Sequence, residues 1–409
     1  MKVLALGGPG AMGAVAVRTA ARLPGIDEIV VADRDLGAAQ RFAAAAAAAG
    51  LSIRARHVDV TDPTVLRDAL RDADVVLNTV GPYYRFGLPV LEAAIETGTH
   101  YLDLCDDWEP TLRMLDLDAA AREAGVCAVI GMGASPGISN LLAVVAAREL
   151  DSVEDFYTAW PVDVPAGHTE SLPRNGNGGH PPAAVVHWME QISGTIAVIG
   201  AGRLTHESPL RPVPLDLPGG RRGTGYTVGH PEPVTLQRML QPSGAAATLM
   251  IVTPGTAAFL DVLRRDIDTG KLTNETAAAE MMKPGLLRGI RSLLAAGRFR
   301  SPETLPLFFA AVRGSRDGLS QLVLARVADD SASGAPLFID DMSRATGIPL
   351  ALGLSQVIDG TARRPGVHPP EAVIDPDRFF RDLRPHLGDI GDGPAVVVER
   401  VSRTAASTR

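Results

Sequence analysis

Cysteine is nearly absent from this sequence. Only Cys105 and Cys127 occur in 409 residues, and they do not form a C-x-x-C pair. Two cysteines are too few for a disulfide framework, and a chain of this length can bury a sufficient core without one. We therefore expect a reducing, cytoplasmic location. No histidine lies at a spacing in the sequence that suggests a Cys–His catalytic pair. Both thiols are therefore expected to pack as small core residues rather than to act as nucleophiles.

Positive charge and long apolar runs are also scarce. The chain has 39 Lys and Arg against 47 Asp and Glu, a net charge of −8. Without a broad basic field, a nucleic-acid partner is not expected. The longest uncharged stretch, 126–147, contains glycines and prolines that divide it into strand, turn and helix. The sequence therefore predicts no membrane span.

The first 150 residues alternate short apolar runs with helical stretches. The predicted strands are Lys2–Leu6, Glu28–Asp33, Ile53–Val60, Asp74–Val80, His100–Leu104 and Val126–Met132. Asp62 and Pro63 are predicted to be the N-cap and the first residue of one helix. A second helix is predicted over Gly87–Thr97, with Gly98 as its end. This alternation is typical of a parallel sheet with helices on both faces. We predict a doubly wound α/β domain of the Rossmann type over residues 1–150.

A second domain is predicted from about residue 151. Pro161–Pro182 is rich in Gly, Pro, Asn and His and has no periodicity, which indicates a long loop. Leu305–Arg313 and Leu319–Val327 predict two strands of an antiparallel hairpin joined by Gly314–Gly318. No metal site is expected, because three histidines of this region lack metal-ligand spacing: His168, His180 and His187.

One segment of this second domain is amphipathic. Between Lys283 and Arg300, five apolar residues fall on one helical face: Leu286, Leu287, Ile290, Leu293 and Leu294. A basic amphipathic helix is also found on lipid surfaces. Because the whole protein is acidic, the favoured interpretation is a helix whose apolar stripe packs on the second domain.

A G-x-G-x-x-G motif follows the first predicted strand and opens a helix. It consists of Gly8, Pro9, Gly10, Ala11, Met12 and Gly13. Gly8 is expected to permit the tight turn, Gly10 to let a pyrophosphate approach the backbone, and Gly13 to let the helix pack on the sheet. The helix N-terminus then faces the phosphates. In this context the motif predicts dinucleotide binding rather than a structural turn.

The residues after the second and third strands bear on cofactor choice. Asp33 ends the second strand and offers a carboxylate to a ribose 2′-hydroxyl, which favours NAD. The neighbouring Arg34 is suited to the 2′-phosphate of NADP, so NADP stays possible. At the end of the third strand, Asp59 and Val60 are expected either to meet the adenine or to form a turn.

Later strand ends supply the remaining site candidates. Thr79, Val80, Gly81 and Pro82 follow the fourth strand, and Tyr83 is expected near the nicotinamide or in packing. Alternation puts Tyr101 and Asp103 on one face of the fifth strand. They are proposed to meet a substrate amine or relay a proton, although an N-cap role for Asp103 stays open. Candidate substrate-binding residues come from two other loops: Ser135, Pro136, Gly137, His230 and Glu232. The first loop is expected either to offer backbone donors to the nicotinamide or a substrate carboxylate, or to be a simple interdomain turn. The second is expected either to project into the cleft and bind substrate, or to be an ordinary surface loop.

These residues resemble the saccharopine dehydrogenase-like family of amino-acid and amine oxidoreductases. The blocks that carry the resemblance are Gly8–Gly13, Val80–Tyr83 with Gly87–Val90, Gly98–Leu104 and Ala134–Asn140. Further blocks are similar to the lysine 6-dehydrogenase and saccharopine reductase branch: Lys283-Pro284, Val312–Gly318, Arg344–Asp359 and Pro365–Glu371. Val80 to Asp103 also resembles the trans-acting enoyl reductases.

The resemblance implies a specific architecture and reaction. It implies an α+β substrate and dimerisation domain over residues 151–340, inserted before a C-terminal segment, 341–409, that returns to the first domain. It implies a homodimer that interconverts an amine and an imine in an amino acid, opine-like adduct or polyamine precursor, using NAD(P). The alternatives are an enoyl reductase acting on a lipid or polyketide and a non-catalytic dinucleotide-binding protein.

Overall fold

The computed structural model describes residues 1–163, 181, 183–328, 338–388 and 390–402. Most of the predicted loop 161–182, including His168 and His180, lies outside these residues. The chain forms two compact units. The first is Met1–Leu141 with Asp341–Ile390, and the second is Leu142–Asp340 with Gly391–Arg409. Within the described ranges, no helix has the length and apolar character needed to cross a bilayer.

The strands and helices are numbered in chain order. The strands are β1 (Lys2–Leu6), β2 (Glu28–Asp33), β3 (Ile53–His57), β4 (Val75–Asn78), β5 (His100–Asp103), β6 (Cys127–Val129), β7 (Ser152–Pro161), β8 (Ile196–Gly200), β9 (Arg203–Glu207), β10 (Pro212–Leu217), β11 (Arg221–Val228), β12 (Ala246–Ile251), β13 (Phe309–Arg316), β14 (Leu319–Val327), β15 (Gly366–His368) and β16 (Val396–Ser402). The helices are α1 (Ala11–Ala20), α2 (Leu36–Ala48), α3 (Pro63–Arg71), α4 (Tyr83–Thr97), α5 (Trp108–Leu115), α6 (Asp118–Glu123), α7 (Ile138–Ala147), α8 (Ala183–Gln191), α9 (Glu232–Leu240), α10 (Pro254–Asp268), α11 (Asn274–Met282), α12 (Leu286–Ala295), α13 (Met342–Ile358), α14 (Pro370–Val373) and α15 (Pro376–Leu383).

The first unit contains a seven-stranded parallel sheet in the order β3-β2-β1-β4-β5-β6-β15. Its strands are short apolar runs because both faces are covered, and residues such as Leu4, Val31 and Leu77 are completely buried or nearly so. The strand order reverses between β1 and β4. Ligands of such sheets bind beyond the carboxyl ends of the strands at this point. The predicted Rossmann-type α/β fold is confirmed.

Local signals place the helix ends of this unit. Asp62 caps α3, its carboxylate accepting hydrogen bonds from the N–H groups of Thr64 and Val65. Gly98 ends α4 in the left-handed conformation that glycine adopts without strain. The start of α4 was predicted too late, because the helix begins at Tyr83 rather than Gly87. The predicted third strand was too long, since β3 ends at His57.

The C-terminal segment contributes to both units. Helix α13 packs on α1 so closely that a Cβ on Gly347 would lie 2.5 Å from the carbonyl oxygen of Met12. Strand β15 then extends the parallel sheet beside β6. The last strand differs from the expectation for 341–409, because β16 pairs with β14 of the second unit. β16 is therefore an edge strand of that sheet.

The second unit is built around a nine-stranded sheet. Seven strands follow the order β10-β11-β12-β7-β13-β14-β16, while β8 pairs with β12 and β9 pairs with β8. The sheet is mixed rather than wholly antiparallel, because β12 and β7 run parallel. Two apolar clusters form its core. One includes Tyr226 and Leu260, and the other includes Leu249 and Phe309.

The predicted hairpin has a tighter turn than expected. Strand β13 continues to Arg316, so only Asp317 and Gly318 connect it to β14. Both have positive φ, 51° and 75°, which suits a two-residue hairpin turn. Gly314 belongs to the strand instead, where a Cβ would lie 1.8 Å from the carbonyl oxygen of Ser152.

Helix α12 contradicts the interpretation favoured for the amphipathic segment. Its apolar residues do not pack on the second unit: Leu286, Leu287, Leu293 and Leu294 are 78–81% exposed, and Ile290 is 46% exposed. The helix lies against α10 through its other face. The alternation of apolar and polar residues was correctly identified, but which side faces the protein was not.

Candidate functional site

The turn between β1 and α1 consists of glycines because side chains have no room there. Gly7 has a φ of 69°, and a Cβ on it would lie 3.0 Å from the carbonyl oxygen of Thr79. A Cβ on Gly13 would lie 2.6 Å from the Gly7 oxygen and 2.7 Å from Thr79 Oγ1. The tight turn was attributed to Gly8, but the positive φ belongs to Gly7. Gly8 is small because a Cβ would come within 3.0 Å of Val31 Cγ1.

Gly10 leaves the first turn of α1 open to a ligand. It is the N-cap residue, its backbone is extended, and it has no side chain to bond the helix amides. A Cβ there would meet only the Gly7 oxygen, at 3.1 Å. The first N–H groups of a helix lack partners within it, and the helix dipole attracts anions. With Pro9, Ala11 and Met12 completing the turn, the arrangement suits a pyrophosphate.

The segment after β4 lies beside this glycine turn. Thr79 donates hydrogen bonds from its N–H and its hydroxyl to the carbonyl oxygen of Leu6, at 3.0 and 2.8 Å. The Val80 N–H bonds Asn78 Oδ1 at 3.1 Å. Gly81 and Pro82 are joined by a cis peptide bond. Residues 79–82 are therefore held next to the glycine turn, at the point where the strand order reverses.

Asp33 and Arg34 both lie at the end of β2. Asp33 is half-buried, and its Oδ1 accepts a hydrogen bond from the Asp35 N–H at 2.9 Å. Among the described residues no donor contacts its Oδ2. Arg34 is exposed beside it. The pair offers an acceptor for a ribose hydroxyl and a cation for a phosphate, so the geometry suits both NAD and NADP.

Asp59 forms a turn, as one of the two interpretations predicted. Its Oδ1 accepts hydrogen bonds from the N–H and the hydroxyl of Thr61, at 2.9 and 2.7 Å. These bonds are the main reason that the pKa of the Asp59 carboxyl lies below its usual value. Val60 beside it is half-buried. The carboxylate is thus already bonded within its own loop.

A buried hydrogen-bond network connects β4, α4 and β5. Tyr101 donates from its hydroxyl to Asp103 Oδ2 at 2.7 Å, and it accepts from Asn78 Nδ2 at 3.0 Å. Tyr83 donates to the Asn78 carbonyl oxygen at 3.0 Å. Asn78, Tyr101 and Asp103 have no exposed surface. The predicted pairing of Tyr101 and Asp103 on one strand face is correct, and Tyr83 is packed inside the unit.

Asp103 also holds two backbone segments together. Its Oδ1 accepts hydrogen bonds from the N–H groups of Cys105 and Gly131, at 3.0 and 2.7 Å. It is not the N-cap of the next helix, because α5 begins at Trp108. The carboxylate therefore joins the end of β5 to the loop after β6.

Burial governs the protonation of this network. It raises the pKa of the Asp103 carboxyl from 3.8 to about 6, against the opposing effect of the three hydrogen bonds it accepts. Burial and the nearby Asp103 charge raise the pKa of the Tyr101 and Tyr83 hydroxyls well above their usual value. Asp103 thus exchanges its proton near pH 6, while both tyrosines keep theirs.

We expect Asp103 to make stability depend on pH. The folded protein binds this proton near pH 6 and the unfolded chain only near 3.8. The free energy of unfolding should therefore rise by about 2–3 kcal/mol as pH falls from about 7 to about 4, relative to the Asp103→Asn variant. The gain is lost again as pH rises through the folded pKa. Urea unfolding of both proteins across this range measures the difference, and parallel pH curves would contradict it.

The second glycine-rich turn is bonded mainly within itself. Gly137 has a φ of 122° and a Cβ would lie 2.0 Å from the Gly133 oxygen. The Gly133 N–H donates to the carbonyl oxygen of Pro136, and the Gly137 N–H donates to Asn140 Oδ1. These amides are already bonded, which corrects the expectation that the turn offers them to a ligand. Ser135 is half-buried at the same turn.

His230 and Glu232 lie in the interior of the second unit, which excludes a surface loop. Glu232 has no exposed surface, and its Oε2 lies 3.3 Å from His230 Nδ1 and accepts a hydrogen bond from Thr248 Oγ1 at 3.2 Å. Trp160 packs on the His230 ring at 5.4 Å between centroids. His187, near the predicted loop, bonds the Gln191 side chain.

Family comparison identifies the nucleotide-binding unit. Residues 3–129 match the family described as the saccharopine dehydrogenase NADP binding domain. Over these residues the chain is similar to that family. The match spans β1 to β6 and thus includes the glycine turn, Tyr101 and Asp103, and the residues after β4. It indicates a nicotinamide dinucleotide, NAD or NADP, without distinguishing a branch of the family.

Curated relatives match parts of the chain. The saccharopine dehydrogenase-like oxidoreductase of Bos taurus is 31% identical over 175 residues, 40% of this chain and 36% of the bovine protein. The trans-acting enoyl reductase of Mycobacterium leprae (strain TN) is 37% identical over 86 residues, 20% of this chain and 21% of that protein. The chain thus spans well under half of the length of these relatives.

One solved structure matches nearly the whole chain. Apo saccharopine dehydrogenase (L-Glu forming) from Saccharomyces cerevisiae has a TM-score of 0.63 over 98% of this chain and 99% of its own, at 18% identity. At that identity the likeness concerns the fold. It agrees with a Rossmann-like parallel sheet and a second unit with a mixed sheet.

Three structural features of this region were missed in the sequence. Gly7 was passed over because the motif begins at Gly8, although the Gly7-Gly8 pair was a visible signal. Asn78 was seen only as part of a strand end. The bond from Asn140 Nδ2 to Glu371 Oε2, 2.9 Å long, joins residues 231 positions apart, and no local signal indicates it.

Proposed function

We propose that the protein is an NAD(P)-dependent oxidoreductase that acts on a carbon bonded to nitrogen. The substrate class is an amino acid, an opine-like adduct or a polyamine precursor. In the oxidative direction the substrate carbon would lose a hydride to NAD(P)⁺ and the nitrogen would lose a proton, which would leave an imine. The observation that carries the proposal is the glycine turn of Gly7–Gly13 at the reversal point of a parallel sheet, with Asp33 at the end of β2.

The bound cofactor would supply the hydride chemistry, and the protein would align it. The amides at the start of α1 would bind the pyrophosphate, and Asp33 would bind the adenosine ribose. Thr79–Pro82 would contact the bound cofactor beside the glycine turn. Ser135–Gly137, His230 and Glu232 remain our candidates for the substrate side, and a homodimer in the cytoplasm remains our expectation.

Asp103 and Tyr101 were predicted to meet a substrate amine or relay a proton, but both are completely buried, so we propose instead that they and Tyr83 act as positioning residues. The Asp103 carboxylate has no exposed surface and bonds the backbone of Cys105 and Gly131. Through these bonds it would fix the strand ends that present the cofactor-facing loops. Small displacements of such loops are costly to turnover, because hydride transfer requires close alignment of the reacting atoms.

An assay of cofactor and substrate classes tests the proposal. The purified protein is incubated with NADH or NADPH and either pairs of amines and oxo acids or enoyl thioesters, while oxidation of the cofactor is followed by absorbance. Turnover with imines formed in situ supports the proposal. Turnover confined to enoyl thioesters would favour the reaction named for the mycobacterial relative. Tight cofactor binding without turnover across both panels would favour a non-catalytic dinucleotide-binding protein.

Cofactor preference should respond to the two side chains at the end of β2. Asp33→Asn removes the charge-assisted bond to the ribose, so NAD affinity should fall by about tenfold, the effect of about 1.4 kcal/mol. Arg34→Ala should weaken NADP alone. Fluorescence titration of both variants with both cofactors measures this. Unchanged NAD affinity in Asp33→Asn would show that Asp33 does not bind the ribose.

A further inference from the structure

Helix α12 carries a compact, exposed apolar face, which we call the α12 face. It consists of Leu286, Leu287, Ile290, Leu293 and Leu294, whose helical positions fall within one stripe. The four leucines are 78–81% exposed, whereas Leu319 at 59% is the next most exposed large apolar residue among those described. Scattered exposed apolar residues are normal, but a contiguous patch of this kind marks an interaction surface.

The opposite side of α12 is fixed to the unit by ion pairs. Arg288 bonds Asp266 and Glu280, each at 2.9 Å. Arg291 bonds both oxygens of Asp266 at 2.9 and 3.0 Å. Ser292 is buried and donates a 3.4 Å hydrogen bond to the Gly255 carbonyl oxygen. Asp266 itself is almost completely buried, so these contacts orient the helix with its leucines outward.

Positive charge without a carboxylate partner flanks the α12 face at both ends. Residues 281–300 contain five basic residues and no acidic one, although the whole chain has a net charge of −8. Lys283, Arg298 and Arg300 are exposed at the two ends of the segment. Their side chains have no carboxylate partner among the described residues. A local basic region on an acidic protein indicates an anionic partner.

We propose that the α12 face docks on an anionic lipid surface. The helix would lie in the plane of the interface, with its leucines among the acyl chains and Lys283, Arg298 and Arg300 at the headgroups. A second copy of the chain complements this surface less well. Because both ends of α12 are cationic, parallel or antiparallel pairing of two copies would bring like charges together. The proposal is independent of the redox reaction.

Vesicle sedimentation tests the proposal with the full chain. Vesicles of phosphatidylcholine with phosphatidylglycerol should bind the protein at least tenfold more strongly than vesicles of phosphatidylcholine alone, and added salt should weaken the binding. The double variant Leu287→Ser, Leu294→Ser should lose at least tenfold in binding. Leu319→Ser, at an exposed leucine outside the face, should bind like the wild type. Equal binding of the double variant would overturn the proposal.

A charge variant and a measurement of mass complete the test. Lys283→Glu with Arg298→Glu changes only exposed side chains and should also reduce binding at least tenfold. Light scattering reports the oligomeric state at the same concentrations. If no vesicle binds the wild type, the proposal is wrong. If the wild type self-associates without binding vesicles and the double serine variant does not self-associate, the face is a contact between copies.

Discussion

Replacing Gly10 by alanine should weaken NAD(P) binding by at least about tenfold without unfolding the protein. The new Cβ would meet only the Gly7 oxygen, and the extended backbone of Gly10 is accessible to alanine. It would, however, occupy the space in front of the α1 amides. Losing one charge-assisted hydrogen bond to a phosphate costs about 1.5–3 kcal/mol, which is at least tenfold in affinity.

Titration calorimetry measures this effect, with thermal unfolding as the check on folding. Gly255→Ala is the matched control, because Gly255 lies in the first turn of α10 and a Cβ there meets nothing within 4 Å. The control should bind the cofactor like the wild type. If Gly10→Ala is folded and binds both NAD and NADP normally, the α1 N-terminus is not the phosphate site and the proposed function fails with it.

Replacing Asp103 by alanine should lower the free energy of unfolding by about 3–5 kcal/mol, the range for removing one partner from a buried charged cluster. The substitution leaves the N–H groups of Cys105 and Gly131 and the Tyr101 hydroxyl without their acceptor. Asp103→Asn keeps the shape and one acceptor oxygen, so it should cost less. Urea unfolding near pH 7 measures both variants.

Asp68→Ala is the control for loss of a carboxylate. Asp68 is exposed and pairs with Arg71 one helical turn away, so its loss should change stability by less than about 1 kcal/mol. If Asp103→Ala costs no more than this control, the network is not structural.

If Asp103 positions the loops, Asp103→Asn should bind NAD(P) normally but lose turnover. Turnover within a few-fold of the wild type would remove Asp103 from the mechanism.

The local signals in the sequence were reliable where one residue type decides the backbone. Asp62 capped α3 and Gly98 ended α4 as predicted, because a carboxylate at an N-cap and a left-handed glycine act within a few residues. The pairing of Tyr101 with Asp103 followed from strand alternation alone. The strand end at His57 and the two-residue hairpin turn were missed because pairing with neighbouring strands sets such limits.

The sequence by itself determined the parallel nucleotide-binding sheet, its glycine turn and the acidic residue at the end of β2, because these depend on short motifs and on local periodicity. Only the tertiary structure decided which side of α12 faces solvent, that His230 and Glu232 are interior, and that Asp103 is enclosed by three donors. These features depend on residues far apart in the chain, such as Asp266 beneath Arg288, and on the space that remains inside each unit once its own elements pack. Periodicity shows that a helix has two faces, but the ion pairs available around it determine which one is buried.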